Sequence, residues 1–143
     1  SNFNTALMAE AVRLSPAPLA TNQVEYHPFL DQRTVLEAAA THGMALTAYF
    51  AMADGKVPNE PVLKEIGLAH GKSAAQVALR WLIQQPEVVA LTKTATEKRL
   101  AENLAIFDFA LTSDDMARIH ALARPDGRIV NPDGLAPVWD NAA

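Results

Sequence analysis

The 143 residues are half hydrophobic and one-fifth charged, with a formal net charge of −4, a balance that suits one globular domain with a real core. An acidic chain without a basic amphipathic stretch is set against general nucleic-acid binding and against membrane-surface binding. There is no cysteine, which excludes disulfides and thiolate metal sites and is compatible with a reducing cytoplasm; no run nears the roughly 18 apolar residues of a membrane span.

Residues 4–14 carry apolar side chains at helical spacing, and Pro16 and Pro18 end the pattern. Residues 19–24 read as a short strand. Asp31 stands as an N-cap before a helix through VLEAAATH, and Gly43 suits the left-handed residue that closes it. A second strand is expected over 44–49. The loop over 50–59 turns at Asp54-Gly55 and Pro58. A helix over 60–70 stops near Gly71. Ser73 and Gln76 form a capping box for a helix that runs to Gln85, before Pro86. VVAL, 88–91, is the third strand, a helix covers 96–106, and Thr112 caps one more to about Ala123. The tail, 124–143, is rich in Pro and Gly and is expected to lie over a surface.

Strands alternating with helices imply an α/β fold with parallel strands joined by right-handed crossovers. The strands are apolar with little alternation, as when both faces are covered. Three parallel strands leave two open edges and cannot close a barrel, so the chain reads as part of a larger α/β unit.

The stretch LTKTATEKRLAEN, 91–103, crowds polar groups just beyond the third strand. Ligand groups in α/β proteins gather at the carboxyl ends of strands. Thr94 or Thr96 can cap the following helix, whose free N–H groups favour an anion. Lys93 adds a point charge and Arg99 a planar fork suited to phosphate. Arg99, Glu102 and Asn103 share one helical face, and Leu100, Leu104 and Phe107 form a neighbouring apolar face that can pack on the sheet. Glu102 and Asn103 can accept from and donate to a base edge. The same pattern also serves a well-capped surface helix with a solvated charged face, and local physics alone favours this second reading, because capping signals of this kind are common. The histidines at 27, 42, 70 and 120 lack metal-ligand spacing, and His27, between Tyr26 and Pro28, reads as structural.

The segment K-T-x-T-x-x-R-x-x-E-N after a strand resembles the cofactor segment of the aldo-keto reductases. SNF at 1–3 is similar to the end of that family's fifth strand, NQVEYHP at 22–28 to its sixth strand and turn, and AYF at 48–50 to its seventh-strand end, usually Ala-Tyr-Ser. The tail, GRIVNPDGLAPVWD, resembles that of bacterial diketo-gluconate reductases. The resemblance implies the C-terminal half of a (β/α)8 TIM barrel across 1–143, and hydride transfer between NADPH and an aldehyde or ketone. It implies that Ser1, Asn2 and Gln23 hold the nicotinamide carboxamide and that Tyr49 stacks on the ring. Lys93, Thr94 and Arg99 would grip the adenosine 2′-phosphate, with Thr96 capping or assisting, and Glu102 and Asn103 would read adenine. Phe50 departs from the small hydroxyl residue usual there.

The family's Asp, Tyr, Lys and His tetrad lies before the SNF segment. The resemblance therefore implies that these residues carry no catalytic group, that a missing N-terminal half-barrel, from the same or a separate chain, completes the enzyme, and that the half alone is inactive. Tyr26 and Tyr49 match other positions. Ser1 in place of Met hints that residue 1 is not a natural translation start. The alternative is an inactive nucleotide-binding or self-assembling half-barrel module.

Overall fold

The computed structural model describes residues 1–140. The order of elements is α1 (Thr5–Leu14), β1 (Thr21–Glu25), α2 (Arg33–Thr41), β2 (Ala45–Tyr49), α3 (Pro61–His70), α4 (Ala74–Gln84), β3 (Val88–Ala90), α5 (Glu97–Leu104) and α6 (Ser113–His120). Two short 3₁₀ turns, Ala53–Gly55 and Val57–Asn59, fill the loop after β2. The sequence-based order is therefore reproduced, with ends moved by one to three residues. Residue 91 falls outside β3, and the last helix stops at His120 rather than Ala123.

Local chemistry accounts for the helix ends. Asn4 Oδ1 accepts from Leu7 N–H at 2.8 Å, satisfying a free donor of the first turn of α1. The expected capping box of α4 forms: Ser73 Oγ accepts from Gln76 N–H at 3.2 Å while Gln76 Oε1 accepts from Ser73 N–H at 2.9 Å. Gln32 occupies the capping position of α2, but Asp31 supplies the carboxylate, accepting from Arg33 N–H at 2.9 Å. Gly43 and Gly71 both adopt φ +66°, as a helix-ending left-handed residue requires.

The strands pair in parallel in the order β1-β2-β3, with Glu25 opposite Tyr49 and Ala48 opposite Ala90. Ser1-Asn2-Phe3 runs along the free side of β1. Asn2 N–H donates to Gln23 O at 2.7 Å, and the Asn22 side chain brackets Phe3, accepting from its N–H at 3.2 Å and donating to its carbonyl at 2.9 Å.

One face of the sheet is covered. Val24, Leu46, Ala48 and Val88 lie buried with helix residues such as Met8, Val35, Ile66, Leu82 and Ile119. Each large aliphatic side chain so enclosed contributes about 1.5–3 kcal/mol. The other face departs from the expectation of two covered faces: Thr21, Val89 and Leu91 are exposed, and Thr47 is half-buried. A second correction concerns α5. Leu100, Leu104 and Phe107 do not pack on the sheet but are 54, 70 and 70% exposed. The helix also stops at Leu104, so Phe107 lies beyond it and shares no helical face with Leu100 and Leu104. Polar contacts hold the end of α5 instead, with Gln76 Nε2 donating to the carbonyls of Glu102 and Ala105 and Lys72 Nζ to that of Ala105.

The tail crosses from the β1–α2 connection to the start of α1. Arg124 N–H donates to Phe29 O at 3.1 Å. Asp140 accepts from Thr5 N–H and Thr5 Oγ1, both at 2.8 Å, placing a carboxylate at the positive end of α1. Gly127 sits so close to the Phe29 carbonyl oxygen that a Cβ would collide with it. Gly127→Ala is therefore expected to destabilise the fold by roughly 1–3 kcal/mol, the usual cost of overpacking, as a shift of the urea midpoint at unchanged m-value; an unshifted midpoint would show that the tail start yields freely.

Candidate functional site

Parallel pairing brings the carboxyl ends of all three strands to one rim. At the β1 side, Ser1 Oγ donates to Gln23 O at 3.0 Å, and Tyr49, at the end of β2, donates its hydroxyl to Asn2 Oδ1 at 3.0 Å. Ser1, Asn2, Gln23 and Tyr49 thus form one polar group. Asn2 holds φ +58°, a left-handed conformation that asparagine tolerates. Its Nδ2 and the whole Gln23 carboxamide have no hydrogen-bond partner among the described residues. Burial, assisted by the neighbouring Glu25 charge, pushes the Tyr49 hydroxyl pKa up. Tyr26, by contrast, is buried and donates to Gln85 Oε1 at 2.8 Å, a structural bond.

A cleft of about 400 Å³ joins the ends of β2 and β3 and is lined by residues including Tyr49, Phe50, Met52, Asp54, Leu91 and Lys93. Its far wall is a tight turn in which Phe50, Ala53 and Asp54 adopt φ of +62°, +46° and +55°. Side-chain-bearing residues rarely occupy that region, so the wall is locally strained. Lys93 and Tyr49 therefore face one cavity; Arg99 stands along α5 and does not line it.

The turn after β3 corrects one expectation. Thr96 holds the capping position of α5, but its hydroxyl caps nothing. Thr94 Oγ1 instead accepts from Thr96 N–H at 3.1 Å, a local Ser/Thr turn competing with the cap. Asn103 Nδ2 donates to Thr92 Oγ1 at 3.1 Å, tying α5 back to the turn, and Glu102 faces Lys98 at 3.8 Å across one helical turn. Among the described residues, the exposed side chains of Lys93 and Arg99 have neither hydrogen-bond nor ion-pair partners.

Sequence reasoning missed a second cluster behind Tyr49. Glu25 is fully buried, yet its carboxylate accepts from His27 Nε2 at 2.9 Å, Ile129 N–H at 2.8 Å and Val130 N–H at 2.9 Å, with Arg128 Nη1 at 3.8 Å. His27 is thus structural, as expected, and its proton toward Glu25 sits on Nε2. The signal available was a carboxylate at the end of β1, directly before Tyr26 and His27; its tail partners, about a hundred residues away, were not legible. Burial raises the Glu25 pKa, but the bonds from His27, Val130 and Ile129 outweigh it, and the net shift is downward. Burial lowers the Arg128 pKa, and its guanidinium lies 3.6 Å from the Trp139 ring centroid. Among the described residues no group of acidic or histidine side chains is placed to hold a metal, and no helix is long and apolar enough to cross a membrane.

Comparison with known proteins follows the same geometry. The model of the aldo/keto reductase family matches residues 1–124. Over 141 residues the chain is 43% identical to the methylglyoxal reductase DkgB of Yersinia pestis, covering 98% of this chain and 52% of the relative. It is 37% identical to the glyoxal reductase of Bacillus subtilis, over 94% of this chain and 49% of the relative. A crystal structure whose protein is provisionally named 2,5-diketo-D-gluconic acid reductase B superposes with TM-score 0.96 at 68% identity, over 97% of this chain and 50% of that one. The Gox0644 D53A mutant, solved in complex with NADPH, superposes with TM-score 0.87 at 30% identity, over 95% of this chain and 50% of that one. The chain thus spans about half the length of these relatives, and its open three-stranded parallel sheet matches part of a (β/α)8 barrel.

The depressed pKa of Glu25 fixes a sign. Its stabilising contribution is present above the ordinary value of 4.5 and is lost as pH falls through the lower folded value. Urea melts between about pH 3 and 6 should therefore show a shallower pH dependence in Glu25→Gln than in the wild type; identical slopes would mean that folding does not lower the Glu25 pKa.

Proposed function

The chain belongs to the aldo/keto reductase family, and from that premise we propose that it forms the cofactor-gripping half of an NADPH-dependent carbonyl reductase. The observation that carries this reading is the cleft running from Tyr49 to Lys93 at the carboxyl ends of β2 and β3, where a parallel α/β sheet places its ligands.

The donor set fits a dinucleotide. Lys93 and Arg99 have no protein partner among the described residues to neutralise them, so both are free to meet the 2′-phosphate; Thr94, held by Thr96 N–H, shapes the turn between them. Glu102 and Asn103 flank the adenine. Thr96 leaves its hydroxyl available to the phosphate. At the other end the free amides of Gln23 and Asn2, with Ser1, meet the nicotinamide carboxamide, and the Tyr49 ring, oriented through its bond to Asn2 Oδ1, stacks on the nicotinamide. NADPH, when bound, supplies the hydride. The residues of this chain bind and orient it and shield one side from water; the proton for the carbonyl oxygen comes from outside residues 1–143.

The relatives are twice as long; Val89 and Leu91 leave an apolar seam on the open side of the sheet, and Leu100, Leu104 and Phe107 are exposed on and just beyond α5. In this reading an N-terminal half-barrel covers the seam and brings the acid–base group, in a cytoplasmic enzyme. The names of the relatives suggest small 2-oxoaldehydes or keto sugar acids as carbonyl substrates. The same seam supports a second reading, an inactive nucleotide-binding module that pairs with its own copies. Intact mass and oligomeric state separate the two: a species near twice this length that reduces aldehydes favours the enzyme, and a 15.4 kDa chain that self-associates without turnover favours the module.

Arg99→Ala is expected to weaken NADPH by about 10- to 150-fold, the equivalent of roughly 1.5–3 kcal/mol for one charge-assisted contact, while leaving NADH nearly unchanged in a fluorescence titration. Equal losses for both cofactors would contradict a 2′-phosphate role.

A further inference from the structure

The tail is fastened mainly by polar contacts. At its start Arg124 N–H bonds the Phe29 carbonyl, and Gly127 packs on that same oxygen. In its middle, Ile129 and Val130 give their N–H groups to the Glu25 carboxylate, and Arg128 faces it at 3.8 Å. At its end Asp140 takes two bonds from Thr5, and Asn4 Nδ2 donates to Val138 O at 2.7 Å. Between these points Arg128 stacks on Trp139, whose Nε1 donates to Asn131 Oδ1 at 2.7 Å. Leu135 and Val138 are 84 and 89% exposed, so apolar burial, beyond the part contributed by Ile129, does little to hold this segment. The buried Glu25 carboxylate is therefore the hub on which its docking depends.

That hub is costly unless complete. A buried carboxylate is tolerated only when its oxygens are satisfied. With the tail lifted, Glu25 would keep His27 alone among the partners named above. Glu25 is also the register partner of Tyr49, and Tyr26 N–H bonds the Tyr49 carbonyl at 3.1 Å. The charged and titratable groups around Glu25 are thus His27 from the end of β1, Tyr49 from β2 and Arg128 from the tail.

We propose that Glu25 is a positioning residue: its buried carboxylate registers residues 128–130, and through the Arg128–Trp139 stack the rest of the tail, beside the Tyr49 end of the cleft, so that docking of the tail and occupancy of the cleft are linked. The ligand side of this link rests on the NADPH reading above; the strap itself does not. Linkage is reciprocal, so what releases the tail weakens the ligand by the same factor by which the ligand protects the tail.

The test is trypsin cleavage after Arg128, a bond reached only when the strap opens, followed by mass spectrometry with and without NADPH. Glu25→Gln, which keeps the size of the side chain but brings a donor where donors already converge, should be cleaved at least tenfold faster than the wild type and should bind NADPH several-fold more weakly. NADPH should slow cleavage of the wild type. If Glu25→Gln fails to fold by circular dichroism, Trp139→Ala, which removes only the stack on Arg128, should move both readouts in the same directions by smaller factors. Equal cleavage of wild type and the folded variant overturns the strap. NADPH that binds without slowing cleavage overturns the link. A wild type that binds no NADPH overturns the link together with the cofactor reading, while the cleavage comparison still decides the strap.

Discussion

Parallel pairing of β1, β2 and β3 is the constraint on which the site depends. Parallel strands end together, so Glu25, Tyr49 and the turn after Ala90 reach one rim although they are far apart in the chain. Reversing β2 alone would carry Tyr49 to the opposite end and leave the cleft without its aromatic wall. Parallel pairing also demands crossover helices, and these supply the covering layer on one face only. The cleft, the covered core and the open face are three consequences of one topology.

The covered face and the rim differ in chemistry because they are held differently. Toward the helices, Val24, Leu46 and Ala48 are packed by apolar neighbours. At the rim, geometry is set by hydrogen bonds: Tyr49 to Asn2, Thr96 to Thr94, Asn103 to Thr92 and the tail to Glu25. Such bonds are worth most where water is excluded. Glu25 and His27 have that shelter; the turn after β3 is exposed. The β1 side of the rim is thus the rigid one, and the turn carrying Lys93 remains free to meet a ligand.

Much of this was legible in the sequence because it is local. Capping boxes and helix-ending glycines act within a few residues, and the contacts of Ser73 with Gln76 and the φ of Gly43 and Gly71 follow from them. The grouping of Ser1, Asn2, Gln23 and Tyr49 was implied by the family resemblance of the strand-end segments, not by local physics. What failed is non-local or competitive. Spacing put Leu100, Leu104 and Phe107 on one face packed on the sheet, but the helix ends at Leu104 and all three are exposed. Thr94 turns back on Thr96 N–H and neither threonine hydroxyl caps α5, which the pattern alone did not show. The hub at Glu25 joins residues 104 and 105 positions apart, which no local spacing encodes.

The cofactor assignment reduces to whether the turn after β3 distinguishes a phosphate on the adenosine 2′ position. Amide chemical-shift mapping with adenosine 2′,5′-bisphosphate and with 5′-AMP asks this without any turnover. The bisphosphate is expected to shift Lys93, Thr94, Arg99 and Asn103 and to bind at least tenfold more tightly than 5′-AMP. Equal affinities, or shifts confined to other parts of the surface, would contradict the assignment.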